Sequence, residues 1–145
     1  LESMLCRSAL EHTECTNSRC KLCQAPTCTD HKKWGRKPRC AEKDFVYAVV
    51  CGHCQKAYIG ETKQPAAKRY KQHLPNMQND QQPDSAVAAH HAEEHPDLTP
   101  RFAMTVLNSG GGFVLRKCME AVHIKSHDPE LNRRLEGSGA MDLYL

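Results

Sequence analysis

Nine cysteines and nine histidines stand in a chain of 145 residues with only 6% aromatic content. A domain with so little large apolar surface cannot be held by burial alone. It needs cross-links, either disulfides or metal ions. The cysteine number is odd, and two Cys-x-x-Cys pairs are present, Cys20/Cys23 and Cys51/Cys54. Both features favour a reducing, intracellular compartment and zinc over a secreted disulfide framework. A Cys-x-x-Cys pair also serves redox chemistry, but no thioredoxin-like helix follows either pair. The polar N-terminal stretch after Leu5 has no signal-peptide pattern, and no apolar run approaches bilayer-spanning length, so no membrane partner is expected. Because the chain starts at Leu1 and not at Met, it is expected to be a piece of a longer polypeptide, with Gly137-Ser138-Gly139 as a flexible tail.

The net charge of +3 is mild, but its distribution is uneven. Arg19, Lys21, Lys32, Lys33, Arg36, Lys37, Arg39 and Lys43 fall in one stretch, with Lys56 beyond it and only Asp30 and Glu42 as acids inside it. Such a run is either a solvated loop or a phosphate-binding face. On the second reading Lys32, Lys33, Arg36, Lys37 and Arg39 are the candidate nucleic-acid contacts, giving affinity and placement with little sequence information.

Residues 1–43 hold six cysteines and almost no apolar periodicity, which predicts a metal-organised segment with one short helical stretch near Leu5 to Glu11. Trp34 reads as a packing residue. The run Asp44 to Cys51 is the strongest strand signal, and Lys56 to Glu61 forms its hairpin partner. Pro65 starts a helix over Ala66 to Leu74. Pro75 to Pro83 is a polar loop, and Asp84 or Ser85 caps a second helix through Glu94. Arg101 to Leu107 reads as a third strand and Asn108 to Gly112 as a turn. Residues 113–127 read as the longest helix, with an apolar stripe of Leu115, Cys118, Met119 and Val122, and Pro129 stops it. The fold class is α+β: a small three-stranded antiparallel sheet flanked by helices, spanning 44–136, with an N-terminal zinc-binding extension over 1–43 and a tail over 137–145.

A two-residue turn at Gly52-His53 would set Cys51 opposite Cys54 and Tyr47 opposite Tyr58 on one face. Arg69 and His73 share a helix face, and Glu120 sits on the last helix. Taken singly, each has an ordinary explanation: tyrosines pack in sheets, and Glu120 pairs with Arg116 on a helix surface.

Together these residues resemble the GIY-YIG nuclease family. Phe45-Val46-Tyr47 stands where the first family tripeptide lies, without its Gly and Ile, and Tyr58-Ile59-Gly60 matches the second. Arg69, Glu120 and Asn132 follow in the family's order. The resemblance is closer still to the endonuclease of Penelope-like retroelements, which carries a Cys-x-x-Cys pair inside the hairpin. The run Tyr58 to Thr62, the Arg69 to His73 element, Ser85 to His90, Glu120 to Ile124 and Leu131-Asn132 also match. The resemblance spans roughly residues 20–132. It implies hydrolysis of a DNA phosphodiester by an in-line water. Mg²⁺ or Mn²⁺ would be held by Glu120, Arg69 would neutralise the phosphate, and Tyr47 would be the general base aided by His73. Tyr58 would orient the water or phosphate, and Asn132 would fix the geometry. It also implies nuclear nicking of target DNA to prime insertion, with a reverse transcriptase in the same polypeptide. Two other readings stay open: a zinc-dependent nucleic-acid-binding module without cleavage, and a structure-specific repair nuclease of the same superfamily.

Cys20, Cys23, Cys51 and Cys54 are the expected ligands of one tetrahedral structural zinc. Cys6, Cys15, Cys28 and Cys40, with His12 or His31 as substitutes, allow a second. Cys118 reads as a core residue. Among His90, His91 and His95, His90 ranks above the other two as a site-supporting residue, because it falls in the matched element. Oligomeric state is not legible.

Overall fold

The computed structural model describes residues 15–75 and 85–132. Cys6, His12, the stretch Leu5 to Glu11, Asp84 and the tail at 137–145 lie outside the described residues. The elements run α1 (His31–Trp34), β1 (Phe45–Cys51), β2 (Ala57–Thr62), α2 (Ala66–His73), α3 (Ala86–Glu94), β3 (Phe102–Ser109), α4 (Phe113–His127) and a 3-10 turn (Glu130–Asn132). The protein is α+β: one antiparallel sheet of order β2-β1-β3 with helices packed on it.

β1 lies between the other two strands, and all seven of its residues are buried. That is why its sequence is an apolar run without alternation. Its odd-numbered side chains face a cluster containing Leu22, Tyr70, Val87, Phe102 and Leu131. Its even-numbered side chains face Cys28, Trp34, Ile59 and Ala103, with Met119 and Ile124 packed outside. The segment before β1 is thus built into both clusters through Leu22 and Trp34. Trp34 is buried and stacks on His127 at 4.9 Å between ring centroids.

The hairpin register differs from the expected one. Tyr47 pairs with Gly60, and Tyr58 pairs with Val49. The loop is longer than two residues: the Cys51 N–H donates to Lys56 O at 2.9 Å, the Gln55 N–H donates to Cys51 O at 2.8 Å, and Gln55 takes a left-handed φ of 66°. Cys51 and Cys54 therefore share a turn instead of facing each other across one. The slip is by two residues, so each side chain keeps its face. Both tyrosines remain on the same side, diagonal to each other, with ring centroids 6.5 Å apart. Gly60 is what the register requires opposite Tyr47, since a Cβ there would sit 2.6 Å from the Tyr47 hydroxyl.

Of the expected apolar stripe of α4, Met119 packs on the core but the other three residues do not. Leu115 and Val122 are 52% and 54% exposed, and Cys118 is exposed. Arg116 points inward instead. Its guanidinium donates to Glu61 Oε2 at 2.9 Å, Asp44 Oδ1 at 3.2 Å and Gly111 O at 2.9 Å. A buried guanidinium left without these partners would be costly, so the ion pairs fix the rotation of the helix. The surface pair Arg116–Glu120 does not form among the bonds of Arg116 described here; its carboxylate partners are Glu61 and Asp44.

β2 is an edge strand, and the 3-10 turn covers part of that edge. Asn132 accepts from Ile59 N–H at 2.7 Å and donates to Ile59 O at 2.9 Å, and Glu130 accepts from Ala57 N–H at 3.4 Å. Asn132→Ala leaves a buried donor and a buried acceptor without partners. It should cost roughly 2–4 kcal/mol, read as a lower urea midpoint with an unchanged slope.

Candidate active site and metal centres

Among the described residues two groups of possible metal ligands stand together, and neither is the set expected from spacing. Cys15, Cys20, Cys23 and Cys40 form one, and Cys51, Cys54, His90 and His95 form the other; in each, all ligand atoms lie within 4.8 Å of one another. Tetrahedral zinc with four thiolates sets sulfur atoms about 3.8 Å apart. The Cys20–Cys40 and Cys23–Cys40 sulfur separations of 3.4 and 3.2 Å suit such a centre after slight expansion. The Cys15/Cys20/Cys23/Cys40 cluster can hold a metal ion such as zinc.

The expected Cys20/Cys23/Cys51/Cys54 site is therefore corrected: its two halves belong to different groups. Cys40 and Cys15, not the hairpin, come to Cys20 and Cys23. Cys28 is excluded from either group because it is buried beneath the even-numbered face of β1. His31 belongs to neither group and is exposed on α1. The histidines of the second group come from α3 and its C-terminal end, 36 positions beyond Cys54 in the case of His90, too far for the spacing of the Cys-x-x-Cys pair to signal them. His90 also has the partner a metal-bound imidazole requires. Its Nε2 lies 3.2 Å from Cys54 Sγ, and its Nδ1 lies 3.2 Å from Glu94 Oε2.

The thiols of the first cluster titrate apart: burial pushes Cys40 well up, and Cys23 is raised against the lowering bond from Cys40, while Cys20 is lowered. Burial pushes the Cys20 thiol up, but the Cys23 backbone N–H and the Cys40 thiol outweigh it and hold it down to about 7. Lys37 lies beside these sulfurs and donates to Ala25 O at 3.1 Å; burial lowers its pKa, opposed by Cys23, Cys40 and Cys20. Lys37 is thus engaged with the cysteine loop. Arg36 is likewise held, in a two-pronged pair with Glu42 at 2.9 and 2.7 Å. Of the five basic residues expected to meet nucleic acid, these two have structural partners. Lys32, Lys33 and Arg39 are exposed, with the Lys33 ammonium 4.8 Å from the Trp34 ring centroid.

The cluster also supports the helix of the second site. Pro65 provides no side-chain cap for α2. Instead the Ala66 and Ala67 N–H groups donate to Glu42 O at 2.8 Å and Cys40 O at 3.0 Å. The carbonyl of a candidate metal ligand thereby caps the helix that carries Arg69 and His73.

Those two side chains meet the Tyr47 hydroxyl. Arg69 Nε donates to it at 2.9 Å, and His73 Nε2 lies 2.6 Å from it. The phenol oxygen accepts from Arg69, the direction of its bond to His73 Nε2 is set by the imidazole tautomer, and His73 Nδ1 is buried without a hydrogen-bond partner. Tyr58 lies 5.3 Å from His73 between ring centroids. Glu120 acts electrostatically on both phenols. In the β1–β3 pairing the register skips Leu107 between Val46–Asn108 and Tyr47–Val106, a bulge on β3 opposite the start of the site. Tyr47, Tyr58, Arg69 and His73 thus come together; Glu120 stands on α4 in contact with Lys117, and Asn132 holds the strand of Tyr58 from behind.

Burial and the charge state of Tyr58 raise the Tyr47 phenol far above the ordinary tyrosine range, against the lowering effect of Arg69. Tyr47 is fully buried, so with Arg69 in place it is no base toward bulk water. Tyr58, raised by burial and then by Glu120, is partly open. Burial raises the Glu120 carboxyl above its usual range, Lys117 opposes this, and Glu61 adds to it.

His73 is pulled down to about 3 by burial and then by the Arg69 charge. The unfolded chain binds a proton at His73 that the folded chain refuses. Stability from this group is therefore present above about pH 6.5 and lost as pH falls toward 3. Urea titrations from pH 7 to 5 should show the wild type losing up to about 1.4 kcal/mol per pH unit more than His73→Gln. Parallel curves would contradict this.

Compared with protein-family models, curated proteins and solved structures, the chain gave no significant match.

Proposed function

We propose that the chain is a metal-dependent DNA endonuclease of the GIY-YIG type, closest to the endonuclease of Penelope-like retroelements. The observation that carries the reading is the Tyr47 hydroxyl held between Arg69 and His73, at 2.9 and 2.6 Å, beside Tyr58. Each of these residues occupies its place in the motif order, and they arrive from β1, β2 and α2. Glu120 adds a carboxylate from α4.

Glu120 offers hard oxygen donors in a partly dehydrated place, which fits Mg²⁺ or Mn²⁺. Bound there, the ion would stabilise the pentavalent phosphate and the leaving 3′ oxygen. The planar guanidinium of Arg69 would turn from Tyr47 to the non-bridging phosphate oxygens. That movement uncovers the Tyr47 oxygen. The attacking water then gives its proton to Tyr47 Oη as Tyr47 passes its own to His73 Nε2. Tyr58 orients the water. Zinc in the two Cys/His groups has a structural role. DNA is the substrate; nicking primes insertion in the nucleus, and a reverse transcriptase domain in the same polypeptide is the partner.

Supercoiled plasmid should convert to open circles with Mg²⁺ and remain supercoiled when only Mg²⁺ is omitted. A protein that binds DNA without nicking under any divalent ion would favour a second reading, a zinc-held binding module, which the two complete ligand groups also suit.

A further inference from the structure

Three charged groups share one small space between β2 and α4. The Lys117 ammonium lies 3.6 Å from Glu61 Oε1 and 3.6 Å from Glu120 Oε1. Both carboxylate side chains are 13% exposed, against 31% for the lysine. Glu61 comes from the edge strand and Glu120 from the helix, so the fold and not helical spacing brings the carboxylates together. Two partly dehydrated carboxylates repel unless a cation stands with them. The Arg116 guanidinium donates to Glu61 Oε2, Asp44 and Gly111 O. Lys117 is the cation common to Glu61 and Glu120.

The two carboxylate contacts are long. Charge-assisted N–H···O bonds run about 2.7–2.9 Å, so an ammonium at 3.6 Å from both oxygens is in ionic contact without the shortest hydrogen bonds. It also lies 5.9 Å from the Phe113 ring centroid, on a side chain that is 61% exposed. That ring face offers the ammonium a second resting place.

We infer that Lys117 holds the cation place of the Glu61–Glu120 pair, that a divalent ion displaces it on binding, and that Glu61 is the second carboxylate of that place. The inference rests on the reading of Glu120 as the cation-binding carboxylate. Mg²⁺ commonly takes one or two carboxylates and keeps several waters, which this pair supplies room for in charge and number. The resident ammonium lowers affinity for the ion, because each binding event must first break two ionic contacts.

Mn²⁺ binding tests this directly, read by loss of the free-ion electron paramagnetic resonance signal on the zinc-loaded chain without DNA. Lys117→Met should bind Mn²⁺ up to about fivefold more tightly than wild type, the scale of one partly exposed charge interaction. Glu61→Gln, which keeps an oxygen for Arg116, should bind roughly tenfold more weakly, and Glu120→Gln at least as weakly. Far-ultraviolet dichroism of each variant verifies the fold. Mn²⁺ affinity unchanged or weaker in Lys117→Met overturns the inference, as does wild-type affinity in Glu61→Gln. Mn²⁺ shifts as expected in a chain that never nicks DNA would sink the nuclease reading alone.

Discussion

Stripping zinc from the folded chain should unfold it. The described core is small, and each ligand group ties together side chains from separate segments. Cys15, Cys20, Cys23 and Cys40 gather the segment before β1, and Cys51, Cys54, His90 and His95 tie the hairpin tip to α3. A structural zinc site contributes roughly 10–16 kcal/mol in apparent terms, against a total stability of about 5–15 kcal/mol for a typical domain. Losing even one ion therefore removes about as much as a domain has in reserve. A strong chelator should abolish the far-ultraviolet dichroism of the sheet and helices, and elemental analysis should find two zinc ions per chain. Cys23→Ser and Cys54→Ser should each lose one ion and the native spectrum. Cys118→Ser, at an exposed position on α4, should lose neither. A chain that keeps its spectrum without zinc would remove the basis for both centres.

The second large effect concerns Arg69. Its Nε bond to Tyr47 and its Nη1 bond to Gln72 at 3.0 Å hold the guanidinium at the mouth of the buried phenol. Under the nuclease reading the same group neutralises the phosphate as negative charge builds. Removing such a preorganised donor costs about 10²–10³ in rate, so Arg69→Ala should slow plasmid nicking roughly 10³-fold with little loss of DNA binding. Arg69→Lys should recover only part of this, because an ammonium lacks the planar fork. A loss confined to binding would place Arg69 in substrate capture.

Much of the frame was readable because local chemistry and tertiary packing agree. β1 is buried on both faces and announces itself as an uninterrupted apolar run. Ser85 caps α3 by accepting from the Ala88 N–H at 3.0 Å, as its position before an alanine-rich stretch suggests. α4 spans the residues expected, Phe113–His127. What failed was non-local. Sequence spacing shows that Cys51 and Cys54 are close, but not that α3 will deliver His90 and His95 to them. A turn's residue types do not reveal a left-handed Gln55 that lengthens the loop and slips the register by two. Nor does apolar periodicity foresee Arg116, whose bonds to Glu61 and Asp44 turn Leu115 and Val122 to solvent. Glu61 stood in a matched motif yet drew no role, because its neighbours Arg116 and Lys117 are 55 and 56 positions away.

Single-turnover nicking of supercoiled plasmid by Glu120→Gln, across a Mg²⁺ titration, tests the proposed site most directly. The substitution keeps size and hydrogen-bonding capacity but deletes the charge. A nuclease with its cation at Glu120 should lose at least about 10²-fold in rate at saturating Mg²⁺ while its zinc content and spectrum stay unchanged. Nicking by Glu120→Gln at the wild-type rate and with the wild-type Mg²⁺ dependence would contradict the account.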